Sequence, residues 1–210
     1  MTKRVWTYGG VAASVVLIAF GIASIVAATT GRSEVRSDIK REAIVGTPDM
    51  SPKAIAVEAK QAGLRNVALP SCTVANQPID TGAKAKCFAS YMRIHTLEAT
   101  GGKTYAQMPR YATADGKGTN DPKAALTKNG QPVDNPARNI WINETALSTA
   151  LNTSYFAERV SMFSLAMGIA LLLSGIGFLV LTVRLLAPAT RRDEVPAEGK
   201  TTTSVPAASQ

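Results

Sequence analysis

GGVAASVVLIAFGIASIVAA (Gly9–Ala28) and SMFSLAMGIALLLSGIGFLVLTVRLL (Ser161–Leu186) are the two stretches that decide the fold of this 210-residue chain. Each is long enough to cross a bilayer, because ~20 apolar residues rising 1.5 Å apiece span a ~30 Å hydrocarbon core. Neither contains Asp, Glu, Lys or His, and Arg184 falls in the last turn of the second, where it can snorkel to the interface. Such spans offer no relay for protons or ions.

The flanks set the expected topology. Lys3 and Arg4 precede the first span and Arg191-Arg192 follow the second, which places both termini in the cytoplasm by the positive-inside rule. Trp6 and Tyr8 sit where interfacial aromatic anchors belong, with Arg184 as their counterpart on the second span. Val26-Ala27-Ala28 resembles a cleavage site, but the apolar run is longer than the ~7–15 residues of a signal-peptide core, so an uncleaved signal anchor is expected. Arg32, Arg36, Lys40 and Arg41, just past the first span, speak against this orientation, although long loops translocate largely regardless of charge. The two cysteines decide for it. Cys72 and Cys87 lie in the intervening segment, outside any CxxC motif, and most simply make one disulfide in an exported domain, the alternative being two buried free thiols in a cytoplasmic one.

The expected organisation is a cytoplasmic N-terminus (1–8), a first span (9–28), an extracytoplasmic domain with helical stems (29–160), a second span (161–186) and a disordered cytoplasmic tail (187–210). A middle segment of this size buries one modest core. Although the chain carries a net charge of +8, residues 29–159 hold 17 Lys/Arg against 12 Asp/Glu, an excess of five spread without a run or a stripe. That pattern excludes a nucleic-acid face and suits a solvated surface near lipid headgroups.

Within the domain, Ser33–Val45 has helical periodicity and neither proline nor glycine, so it continues the first span as a stem that Gly46-Thr47-Pro48 ends. Ser51-Pro52 reads as an N-cap with proline in the first helical position, opening a helix to Ala62 that Gly63 stops. A loop or short strand is expected around Val67–Leu69, and a central helix over Ala83–Thr100, closed by Gly101-Gly102. Residues 102–138 are rich in turn pairs, with one hairpin expected at Asn129-Gly130. A last helix is expected from about Asn143, running unbroken by proline into the second span. The fold class is therefore mainly α: two transmembrane helices extended by helical stems, with a small α-rich extracytoplasmic domain and a loop-rich insert.

Chemistry is sparsely signalled. No nucleophile elbow, P-loop or dinucleotide fingerprint occurs, and His95 is the only histidine, which reads as a structural residue near Glu98. Tyr105, Arg110 and Tyr111 read as core before they read as a ligand cleft. No catalytic, cofactor or metal residues are assigned, and no cofactor is expected. Small residues at four-residue spacing, Ala19, Ala23 and Ala27 on the first span and Ala166, Ala170 and Ser174 with Gly177 on the second, offer faces on which a helix can pack closely. Their partner could be the other span, a second copy or another protein.

The segments Gly46–Met50, Tyr91–Gly102, Asn139–Leu147 and Asn152–Ala157 resemble those of a family of small two-span actinobacterial membrane proteins, over nearly the whole chain except its tails. The resemblance implies the architecture and no activity. Some members are labelled aromatic ring-opening dioxygenase; such enzymes hold ferrous iron with two histidines and a carboxylate, and a chain with one histidine does not satisfy that set. The function expected is that of a plasma-membrane, multi-pass protein of the cell envelope, not an enzyme. Its exported domain binds a protein partner or scaffolds an assembly, as a hetero- or homo-oligomer, in the lipid bilayer. The alternatives are a ligand-binding sensor coupled through the two helices, and an envelope enzyme using carboxylates.

Overall fold

The computed structural model describes residues 2–186, with side chains from Tyr8 to Arg184. The side chains of Lys3, Arg4 and Trp6 and the tail 187–210, with Arg191-Arg192, lie outside what is described. Two long helices dominate: α1, Thr2–Arg41, and α4, Pro136–Leu186. Each contains a segment long and apolar enough to cross a membrane. Only 17% and 11% of their most apolar stretches is buried within the protein. A core helix of a soluble domain would hide most of that surface, so lipid is its fitting solvent.

The helices run antiparallel in constant register. Gly10 meets Thr182, Gly175 meets Ile18, Gly21 meets Gly168 and Leu172, and Gly31 meets Ser161. On α1 the contact seam recurs every seventh residue through Ser14, Gly21 and Ala28, all buried, and on α4 it runs through two sevenfold pairs offset by three residues, Leu151 and Glu158 outside the span and Gly168 and Gly175 within it. Within the spans the sevenfold spacing is that of a left-handed coil. Ala19, Ala23, Ala27, Ala166, Ala170, Ser174 and Gly177 all lie on the exposed sides of their helices. The two four-residue stripes therefore do not pack on each other within the chain, because the seam follows the glycines.

Both spans continue as stems, and a small domain sits against them at one end. α1 stops at Arg41, four residues short of the expected Val45: Ala43 turns left-handed (φ 50°) and Ile44–Gly46 pairs with 76–79 instead. α2, Pro52–Gln61, begins as read, with Ser51 Oγ accepting from the Ala54 amide. α3, Gly82–Ala99, is the central helix, capped by Thr81 Oγ1, which accepts from Lys84. It buries Ala85, Cys87, Tyr91, Ile94 and Leu97 against α1, α2 and α4. Around Tyr91 the core gathers Ile39, Met50, Ile55, Val74, Ile79 and Leu151, so residues from both stems and both short helices share one interior. No strand forms at Val67–Leu69.

The insert is loop-rich as expected. Strand β1, Thr127–Lys128, pairs antiparallel with β2, Gln131–Pro132, through a turn in which Asn129 and Gly130 both have positive φ. Helix α4 starts at Pro136 rather than at Asn143. Asn135 Oδ1 caps the Ala137 amide and Pro136 takes the first helical position, which draws Ile140-Trp141-Ile142 into the helix. Trp141 is buried and its Nε1 donates to the Lys103 carbonyl (2.8 Å), anchoring the insert to α4.

Cys72 and Cys87 form a disulfide with Cα atoms 6.1 Å apart. It ties the irregular segment before α3 to that helix, and Tyr91 donates to the Cys72 carbonyl (2.5 Å) one turn further on. Closing this loop of 15 residues' separation is worth ~3 kcal/mol. Reduction, or Cys72→Ala with Cys87→Ala, is expected to lower domain stability by about that amount, measured by thermal unfolding in detergent. A loss under 0.5 kcal/mol would show that the core alone holds this segment.

Candidate functional site

The junction between spans and domain is organised around Glu158. It stands on the α4 seam one turn before Ser161, with a buried side chain. Oε1 accepts from Arg36 (Nη2, 2.6 Å; Nε, 2.9 Å) and from Arg32 Nε (3.2 Å), while Oε2 accepts from the Gly82 amide at the start of α3 (2.7 Å). One carboxylate thus joins α1, α3 and α4. Burial pushes its pKa up, but Arg36, the Gly82 amide and Arg32 outweigh burial and hold it below the ordinary glutamate value. Gly82 is the residue that permits the contact, since a side chain there would strike the Tyr155 Cα and the Ser154 carbonyl.

Above this junction, α1, α3 and α4 leave an apolar groove of about 600 Å³ between them. Ile39, Ile44, Phe88, Met92, Leu147 and Leu151 form its floor and walls, and Asp38 and Glu42 stand on its rim. Leu147 is 52% exposed although Glu144 and Leu151, about one turn to either side, are buried. The groove's lining is mostly apolar.

A polar cleft of about 330 Å³ opens between the insert and the start of α4, lined by Tyr105, Arg110, Asp134, Arg138 and Ile142. The Arg138 guanidinium lies 3.9 Å from the Tyr105 ring centroid. Tyr105 and Arg110 are thus cleft residues rather than core, while Tyr111 is spent in backbone bridges to Thr119 and Asp134. Arg110 stacks 5.1 Å over its ring.

His95 does not face Glu98. Its Nε2 lies 2.9 Å from Asp49 Oδ2 and 3.7 Å from Glu58 Oε2, tying the turn before α2 and α2 itself to α3. The Asp49 contact is at ion-pair distance but off the hydrogen-bond direction. Burial raises the Asp49 pKa less than its Thr47, backbone and His95 partners lower it. These three residues are the one grouping among the described residues with enough metal-type donors close together. All three are about 30% exposed, and the imidazole already meets a carboxylate, so a histidine–carboxylate contact accounts for the geometry.

The buried carboxylates Glu144 and Glu158 stand 14 positions apart on one helix, ~21 Å at 1.5 Å per residue. That separation is far beyond the 5–10 Å of a general acid–base pair, so they do not form one.

Comparison with protein-family models, with curated proteins and with solved structures finds no match for this chain. The structure itself defines the class: a membrane protein with two long apolar helices in an antiparallel pair. More particularly, it carries a small disulfide-stapled α-rich domain of the kind suited to an oxidising, extracytoplasmic side.

Proposed function

We propose that this is an integral protein of the cell envelope, in the plasma membrane with both termini cytoplasmic, whose exported domain binds a protein partner. The disulfide supports the outward placement, and the resemblance to small two-span actinobacterial proteins supports the setting. The observation that carries partner binding is the groove between the stems. Its floor is apolar, its volume suits the side chains of one amphipathic helix, and Glu42 on its rim, where Asp38 is already paired with Arg41 (3.2 Å), complements a basic flank on that helix. An isologous pair centred there would bring the two Glu42 carboxylates together, so the occupant is a basic amphipathic helix of another protein.

A photocrosslinking side chain at Ala150, activated in intact membranes, tests this. The expected adduct is a peptide of a different protein with apolar residues at helical spacing and flanking Lys or Arg. Leu147→Glu is expected to reduce it at least ~10-fold, as removal of a central anchor does. Adducts to a second copy, or to lipid alone, would overturn the proposal.

A sensor reading draws on the polar cleft at Tyr105, Arg110 and Arg138, whose paired guanidiniums suit a carboxylate ligand. It is the second choice because the cleft lies at the first turns of α4, beyond the end of α1 at Arg41 and so away from the packing of α1 on α4 that would have to carry a signal.

A further inference from the structure

We propose that the junction holds the phosphate of an anionic phospholipid. Beside Glu158 lies a cavity of about 160 Å³, lined by Arg32, Arg36, Tyr155, Arg159, Ala83 and Met162. It is placed where headgroups are. The apolar runs end at Ala28 and begin at Ser161, so Arg32 is about one turn beyond the first and Arg159 two residues before the second. A headgroup layer occupies the ~5–8 Å outside the hydrocarbon core on each side. Met162 gives the cavity an apolar edge toward the acyl chains, and the guanidiniums give it a polar one away from them.

Its charge is in excess and unspent. Arg32 and Arg36 share one carboxylate, that of Glu158. Arg159 and Lys86 lie over the ring of Tyr155, at 5.0 Å and 4.5 Å from its centroid, and among the described residues neither has a carboxylate within ion-pair distance. Three guanidiniums, those of Arg32, Arg36 and Arg159, thus line the cavity with one carboxylate, and Lys86 adds a cation on the ring of Tyr155 beside it. The start of α3 adds a backbone donor. Of its first four amides, that of Gly82 donates to Glu158, that of Lys84 to Thr81 Oγ1 and that of Ala85 to the Thr81 carbonyl, which leaves the amide of Ala83, a residue lining the cavity. The positive end of an 18-residue helix and a ring of guanidiniums converge on one space. A phosphodiester, planar-paired by Arg159 and capped by the Ala83 amide, fits that chemistry. A zwitterionic headgroup does so less well, since it brings a cation into an already cationic site.

The test uses the full chain in detergent, titrated with phosphatidylglycerol, with phosphatidylcholine or with inorganic phosphate, and lipid adducts read by native mass spectrometry. Phosphatidylglycerol is expected to bind selectively. Arg159→Gln with Lys86→Gln, two substitutions that leave the Glu158 contacts in place, is expected to weaken it about 25-fold, at roughly fivefold per cation near an anionic surface. Lys123→Gln with Lys128→Gln removes the same charge from the insert and is expected to change it less than twofold. Equal binding of both lipids overturns the proposal, as does equal weakening by the two double variants, which would mean diffuse charge and no site. Inorganic phosphate competing at the lipid's own concentration would assign the cavity to free phosphate and overturn the lipid assignment.

Discussion

Glu158→Ala is expected to destabilise the domain by about 3 kcal/mol, the low end of what breaking a buried ion pair costs, because its two arginines keep part of their hydration. In a protein of this size that is roughly 6–12 °C in Tm. The effect has three sources. Arg36 and Arg32 are left facing each other without the carboxylate, the Gly82 amide loses its acceptor, and α3 loses its fixed point on the stems. Glu158→Gln separates them, since an amide oxygen can still accept from Gly82 while the charge is gone. A double-mutant cycle with Arg36→Ala should give a coupling of 1–3 kcal/mol, and the cycle with Arg32→Ala a smaller one, in keeping with the longer contact. A Glu158→Ala protein within 0.5 kcal/mol of the parent would mean that α3 is held by its apolar face alone.

The same carboxylate sets an acid limit. Its folded pKa is depressed, so it contributes stability that is fully present above its unfolded value of 4.5 and is lost as pH falls through the lower folded value. Asp80, held low by its hydrogen bond from Lys84, and Asp49 act in the same direction with an unfolded value of 3.8. Stability should therefore be flat from neutrality to about pH 5 and fall below it. In Glu158→Gln the fall should be shallower and begin at lower pH. Thermal unfolding across that range measures both.

What the sequence made legible was whatever depends on local chemistry. Ser51-Pro52 announced α2 through a cap and a preset φ, and Asn129-Gly130 announced its hairpin through tolerance of positive φ. Asn135-Pro136 carried the same cap-and-proline signal as Ser51-Pro52 and was obscured by the turn-rich segment before it, which shifted the expected start of α4 by seven residues. The apolar runs showed where the spans lie but not which side faces inward. Inside a span every face is apolar, so hydropathy carries no contrast. What distinguishes the seam is side-chain size at sevenfold spacing: Ser14, Gly21 and Ala28 against Gly168 and Gly175. The Glu158 junction was not legible because its partners are 122 and 126 positions away, and nothing in the ERV of Glu158–Val160 distinguishes a buried carboxylate from a solvated one. His95 was legible as structural, but its partners were not: Glu98, one turn away, is the local guess, and Asp49 and Glu58 reach it only through the packing of α2 on α3.

Gly21→Ile is expected to have the second large effect, about 3 kcal/mol, the top of the range for overpacking a closely fitted contact. A Cβ at Gly21 would lie 2.8 Å from the Leu172 nitrogen and 2.9 Å from the Gly168 carbonyl oxygen, and one at Gly168 would lie 2.9 Å from the Gly21 carbonyl oxygen. These are backbone atoms of two continuous helices, which cannot rotate aside as a side chain can, so the helices must separate or slip. Gly168→Ile should cost about as much, and the double variant less than the sum, because a pair already forced apart has room for the second side chain. Spin labels at Tyr8 and Arg184, which flank the Gly10–Thr182 contact at that end of the pair, should report a longer and broader distance in either variant. Ala23→Ile, on the exposed side two residues along, is expected to leave both the distance and the Tm unchanged to within ~0.5 kcal/mol. The reverse pattern, a tolerant Gly21 and an intolerant Ala23, would mean that in the membrane the four-residue stripes are the packing faces and the glycine seam is not. Because Glu158 stands on the same seam as Gly168, a separated pair should also weaken its reach to Arg32 and Arg36. A span substitution would then register in the acid limit of the domain, and its pH profile would move toward that of Glu158→Gln.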